Sequence, residues 1–292
     1  MSWRTVVITK RAKLDLKTGY LVVRSEDMIS RIHLDEINVL IIENTAVSIT
    51  GCLITALSEK KIKVIFCDEK RNPSCELVSY YGSHDTSAKL REQIKWNDDI
   101  KGSVWTEIVA EKIRKQAELL LETGHETEST ILTDYLSDMK YADVTNREGH
   151  AAKVYFNALF GKSFTRTYDC VTNAALNYGY SIILSCFNRE ITAHGYLTQL
   201  GLFHSNMFNH FNLSSDLMEP FRIAVDRCVF KNSFTKFDKD EKHILVDFLN
   251  TTVLINNTEQ YLTNAIKLYC RSVFEALNEN DATRIVFYSF KE

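Results

Sequence analysis

Residues 83–99, SHDTSAKLREQIKWNDD, divide the chain into two kinds of sequence. They open on turn formers, are polar and lack β-branched runs, so they read as a linker or a connecting helix. Upstream, short β-branched stretches alternate with turn chemistry: RTVVITK (4–10), AKLDL (12–16), YLVVR (20–24), INVLIIEN (37–44), KIKVIFCD (61–68) and, after Pro73, CELVSYYG (75–82). These are candidate strands. Thr18-Gly19 fits a tight hairpin turn, because glycine accepts positive φ. GCLITALSEKK (51–61) has helical apolar spacing at Leu53, Ile54 and Leu57, which predicts one short helix on the sheet.

Downstream the period changes. VWTEIVAEKIRKQAELLLE (104–122) carries Ile108, Ile113, Ala117 and Leu120 on one helical face, with its charges expected on the other. Pro220 is the only proline after Pro73, which suits long uninterrupted helices. The expected fold class is α+β: a small β-rich N-terminal domain (1–82), a linker (83–97) and a larger all-α C-terminal domain (98–292).

Composition limits the function classes. The 292 residues are 45% hydrophobic, enough for a sizeable core, and no run approaches the ~20 apolar residues of a membrane span. A cytoplasmic protein with no membrane partner is expected. Seven cysteines stand singly with no C-x-x-C pair, which predicts buried reduced thiols rather than disulfides or a zinc site. A net charge of −3 provides no global basic field, so nucleic-acid binding would have to rest on local patches or a partner.

The chemistry concentrates in two stretches. In NREGHAAKVYFNALFG (146–161), a helix starting near Asn146 puts Glu148 on the face of Ala152, Tyr155, Phe156 and Leu159. An inward carboxylate needs a hydrogen bond, an ion pair or a cation. Thr145-x-x-Glu148 also matches a capping box, and on this segment alone that is the favoured reading. His150 is turned about 200° from Glu148 around the axis and reads as a structural histidine. The second stretch, 201–227, interleaves His204, Asn206, Asn209, His210 and Asn212 with Phe203, Phe208 and Phe211, as a lined cleft would. Asp216 and Glu219 precede Pro220 and are expected in the first turn of a new helix, where the dipole favours acids even without a ligand. Glutamates with an imidazole form a coherent donor set for Mg²⁺ or Mn²⁺, although spacing alone does not bring them together.

Beyond these local readings, VIFCDEKRNPS (64–74), NREGHAAKVYFNALFG, NAALNYGYSIILSCFNREI (173–191), GLFHSNMFNHFNLSSDLMEPFR (201–222) and YLTNAIKLY (261–269) resemble, in order, the CRISPR spacer-acquisition integrases, in the form found in type II systems beside the RNA-guided effector nuclease. The resemblance implies a homodimer joined through the N-terminal domains and a catalytic metal site on Glu148, His204 and Glu219, with Asp216 assisting. Many relatives carry aspartate where this chain has Glu219. The implied reaction is metal-dependent transesterification, in which the 3′-hydroxyls of a double-stranded prespacer attack a CRISPR repeat. The implied partners are DNA, a small ferredoxin-like CRISPR adaptation protein and the type II effector machinery. Candidate DNA contacts are Arg147, Lys153, Lys162, Arg166, Arg189, Arg222, Asn206 and Asn209. Two alternatives remain at this level, a non-catalytic dimeric DNA-binding scaffold and a stand-alone metal-dependent nuclease.

Overall fold

A computed structural model describes residues 4–79 and 83–290. The first part contains strands β1 (Arg4–Ile8), β2 (Ala12–Lys17), β3 (Tyr20–Arg24), β4 (Ile29–His33), β5 (Ile37–Ile42) and β6 (Val47–Ile49), helix α1 (Gly51–Glu59), and strands β7 (Lys63–Cys67) and β8 (Pro73–Glu76). Each expected strand is found, and β4 and β6 are added to them. The strand expected over 75–82 ends at Glu76, and residues 80–82 of it lie outside the described residues. The hairpin turn at Thr18-Gly19 joins β2 to β3 with φ of 51° and 78°, positive at both central residues as a right-twisting two-residue turn requires.

Two four-stranded sheets result, ordered β4-β3-β2-β6 and β1-β5-β7-β8. In the second, β1, β5 and β7 run parallel, and β5 is buried along its whole length. Alternation divides its side chains: Leu40, Ile42 and Val64 pack with Leu14, Leu21, Leu53 and Leu57, whereas Val39, Ile41, Ile65 and Cys67 join the core of the helical part. Burial on both faces explains why INVLII reads as a continuous apolar run.

The second part comprises α2 (Thr86–Lys95), α3 (Asp98–Glu122), α4 (Glu126–Ser137), α5 (Arg147–Phe160), α6 (Val171–Ala193), α7 (Asn212–Leu217), α8 (Arg222–Asn232) and α9 (Lys239–Asp247), then β9 (Thr252–Ile255), β10 (Thr258–Tyr261), α10 (Leu262–Glu279) and β11 (Ser289–Phe290). It is mostly helical, with a three-stranded antiparallel sheet, β10-β9-β11, in addition. Asn256 and Asn257, at φ of 52° and 57°, close the β9–β10 hairpin. The segment beginning at Ser83 forms α2, and its buried Gln93 donates to the carbonyls of Leu197 (2.9 Å) and Leu200 (3.2 Å) and accepts from the Leu197 amide (2.9 Å). That segment therefore anchors the loop leading to His204.

Helix α3 runs through the helical core. Its charges do not all lie on the far side as expected, since Glu111, Lys112 and Lys115, along with the polar Gln116, are buried with Ile108 and Ile113. The Lys115 ammonium donates to the Tyr288 carbonyl, and the Tyr288 hydroxyl donates to the Pro220 carbonyl at 3.2 Å. Tyr288, just before the last described strand, thus braces the turn that carries Glu219. No disulfide forms among the described residues; Cys67, Cys186 and Cys270 are buried as expected, but Cys52 and Cys75 are exposed.

Candidate active site

Glu148 enters the site from the start of α5. The capping box expected from Thr145 and Glu148 does not form. Asn146, in the left-handed region (φ 52°), is the N-cap and accepts from the Gly149 amide at 3.3 Å. Asp143 takes the next two free amides, those of Arg147 (2.7 Å) and Glu148 (3.0 Å). With these donors satisfied, the Glu148 carboxylate turns toward α3 and accepts from Lys112 Nζ at 2.6 Å. His150 lies on the exposed side of the helix near Tyr135 and takes no part.

Glu219 opens a 3-10 turn, Glu219–Phe221, that leads into α8. Its side chain is buried, with Oε1 accepting from Arg222 Nε at 3.0 Å and Oε2 lying 2.5 Å from Lys112 Nζ. The second contact is an ion pair without hydrogen-bond geometry, and Oε2 has no hydrogen-bond partner among the described residues. Burial works against the charge of Glu219, but Arg222 and Lys112 outweigh it and hold its pKa below the ordinary value. Burial likewise opposes the charge of Lys112, and Glu219 and Glu148 overcome it, raising that pKa.

His204 is oriented by Asp216. This aspartate is not in the first turn of a new helix but near the end of α7, fully buried. Its oxygens accept from the amides of Leu202 (2.6 Å), Phe203 (3.1 Å) and His204 (3.2 Å), and Oδ1 lies 2.5 Å from His204 Nδ1. A carboxylate can only accept, so Nδ1 carries the proton and Nε2 is left as the free ring nitrogen. The hydrogen bond to Asp216 raises the His204 pKa against partial burial, and the charges of Asp216, Glu219 and Glu148 add to the rise. His204 is therefore within electrostatic reach of both glutamates. Trp105, edge-on at 5.8 Å, and Phe203, stacked flat on Trp105 at 4.6 Å, wall its ring.

Glu148, Glu219, Lys112, Arg166, Arg222 and Asp226 line one cleft of about 210 Å³. Arg166 is held by Asn173 and Asn177, and both Arg166 and Arg222 lie over the Tyr180 ring, at 5.2 and 4.7 Å. Beneath them Asp226 accepts from Tyr155 (3.0 Å) and Tyr180, and burial lifts its pKa to about 6 despite those two bonds. His204, Asn206 and Asn209 line a second depression, where Asn206 and Asn209 also accept from the amides of Phe208 and Phe211 at 2.9 Å each.

Other expected contacts lie apart. Arg147 is paired with Asp138 at 3.1 Å and rests over Tyr135, whereas Lys153 and Lys162 are exposed. Arg189 is spent between the two parts of the chain, donating to Asn38 and pairing with Glu190 at 3.5 Å. Sequence reasoning missed Lys112, Gln116 and Asp226. A signal for the first existed, because Lys112 follows the buried Ile108 by four residues and so shares its face.

The donor set fits a hard divalent cation in kind, with two carboxylates and one imidazole, and Glu219 Oε2 meets only the Lys112 ammonium. Among the described residues no three His, Cys, Asp or Glu side chains gather closely enough to hold a metal ion as they stand. Between the two glutamates stands a cation of the chain's own, the Lys112 ammonium.

The model of the family described as CRISPR associated protein Cas1 matches residues 5–247. A CRISPR-associated endonuclease Cas1 of Neisseria meningitidis is 36% identical over 229 residues, 78% of this chain and 75% of that protein. Among solved structures, a CAS1 protein from Thermotoga maritima shares the fold at a TM-score of 0.77 and 16% identity, over 99% of this chain and 100% of that one. A casposase bound to integration product superposes at a TM-score of 0.75 and 17% identity, over 97% of this chain and 93% of that one. No helix among the described residues is long and apolar enough to cross a membrane.

Proposed function

The chain belongs to the CRISPR associated protein Cas1 family, and from that premise we propose that it is a divalent-metal-dependent DNA integrase and endonuclease of CRISPR adaptation. Its reaction joins prespacer 3′-hydroxyl ends to the CRISPR repeat by transesterification. The observation that carries this reading is the convergence of Glu148 and Glu219 on one cation position, with His204 fixed by Asp216 within reach of their charges.

Glu148, Glu219 and His204 are the residues that would hold Mg²⁺ or Mn²⁺ in this reading. Such an ion, when bound, polarises the scissile phosphate and eases ionisation of the attacking hydroxyl. Asp216 keeps the His204 proton on Nδ1 so that Nε2 remains a lone-pair donor. Arg222 neutralises one oxygen of Glu219, and with Arg166 it lines the cleft where a phosphodiester is to lie. In strand transfer the prespacer 3′-hydroxyl loses its proton and its oxygen bonds to the phosphorus that stays on the 5′ end of the repeat. The bond from that phosphorus to the 3′-oxygen of the flanking nucleotide breaks, and that oxygen leaves with a proton. Bond count is conserved, so no covalent protein intermediate is needed.

The neighbouring casposase is bound to integration product, which supports DNA as the substrate class. The resemblance further supports a homodimer acting with a small ferredoxin-like adaptation protein. The test is integration of a labelled prespacer into a supercoiled repeat plasmid by the wild type, E148A and H204A. Joined products that require a 3′-hydroxyl and a divalent ion, and that both substitutions abolish while dimerisation persists, support the integrase. A scaffold keeps joining in both variants, and a stand-alone nuclease yields cleavage without joined products.

A further inference from the structure

Within the cleft, Lys112, Arg222, Glu148 and Glu219 form one ion-paired cluster. Lys112 Nζ lies 2.6 Å from Glu148 and 2.5 Å from Glu219, while Arg222 holds the other oxygen of Glu219 at 3.0 Å, so the four charges cancel. Adding a divalent ion to this buried group would leave an excess of two positive charges, with the ammonium in the position the ion needs. Like charges at that separation in a poorly solvated cleft repel strongly.

We infer that Lys112 is a resident counter-cation of the Glu148–Glu219 pair, which holds the two carboxylates together without metal and is displaced when a divalent ion enters. The inference rests on the metal-site reading given above. Side-chain chemistry suits the exchange: lysine is a point charge on a flexible four-carbon stem, whereas Arg222 holds Glu219 through one Nε hydrogen bond from a rigid planar guanidinium. A place to go is also present. Gln116, one turn further along α3 and lining the same cleft, is 1% exposed, and its Oε1 has no hydrogen-bond partner among the described residues. Because Lys112 and Gln116 are one turn apart on α3 and line the same cleft, the Gln116 Oε1 is an acceptor for the displaced ammonium. Lys112 is thus a positioning residue whose charge sets how readily the ion is taken up.

The experiment compares Mn²⁺ binding to the full-length wild type, K112M and K112Q, by titration followed with electron paramagnetic resonance of the free ion, and melting temperature with and without Mn²⁺. Expected are at least about tenfold tighter Mn²⁺ binding in both variants, a lower melting temperature than wild type in EDTA, and a larger rise on adding Mn²⁺. A merely structural lysine lowers the melting temperature without tightening binding. Equal or weaker affinity in the variants, with wild-type binding that E148A abolishes, overturns the inference alone. No binding sensitive to E148A in any of the proteins overturns the metal-site reading with it. K112Q keeps the test decisive if K112M does not fold, which circular dichroism reports.

Discussion

His204 Nδ1 and Asp216 Oδ1 lie 2.5 Å apart, and the same carboxylate ties down three backbone amides of residues 202–204. One side chain therefore fixes both the path of the loop and the proton position on the imidazole. Changing Asp216 to Asn replaces an acceptor with a donor facing Nδ1, which favours the tautomer that protonates Nε2. Strand transfer by D216N is expected to fall about 10–100-fold, the usual cost of removing the group that orients a histidine ligand. Rates of joined-product formation measure it, and a D216N rate equal to wild type sinks the assignment.

Gly201 is required where the loop meets that carboxylate. A Cβ there would stand 2.3 Å from the His204 carbonyl oxygen and 2.8 Å from Asp216 Oδ2, inside van der Waals contact. G201A is expected to lose most strand transfer and about 1–3 kcal/mol of stability, as overpacking does. Denaturant melts alongside the integration assay check both effects, and an unaffected G201A would mean the loop relaxes freely.

Asp143 holds the start of α5 by accepting the amides of Arg147 and Glu148, at 2.7 and 3.0 Å. D143A is expected to cost about 1–2 kcal/mol through the lost cap and to lower strand transfer, because the Glu148 turn frays. T145A is expected to change joining little, since Thr145 does not cap the helix. A T145A defect larger than that of D143A would restore the capping-box reading.

Asp226 has a folded-state pKa of about 6, above its ordinary value of 3.8, because burial opposes its charge. Between about pH 4 and 6 the folded state then binds more protons than the unfolded state, so stability falls as pH rises through that window and levels off above it. D226N removes this dependence. Relative to wild type it is expected to gain up to about 3 kcal/mol between pH 4 and pH 7. Denaturant melts at both pH values measure the difference, and parallel wild-type and D226N profiles refute the raised pKa.

How much of this was legible in the chain differs by element. INVLII and KVIFC declared their strands through β-branched runs, and Thr18-Gly19 declared a turn through its need for positive φ. The β9–β10 hairpin was passed over although TVLI precedes Asn256-Asn257, which carry positive φ there. Glu148 could be placed on an inward face from the 3.6-residue period, and the match to Thr145 suggested a cap that Asn146 and Asp143 in fact supply.

Local sequence determined the elements of this protein: period, turn chemistry and apolar runs act over a few residues, and they divide the chain at Ser83 whatever the tertiary packing. The pairing of Lys112 with Glu148 and Glu219, of Asp216 with His204, and of Tyr288 with Pro220 was decided only when the elements packed. Those partners lie 36, 107, 12 and 68 residues apart along the chain. A buried charge needs a counter-charge in space, and the chain order carries no direct record of which distant side chain will supply it.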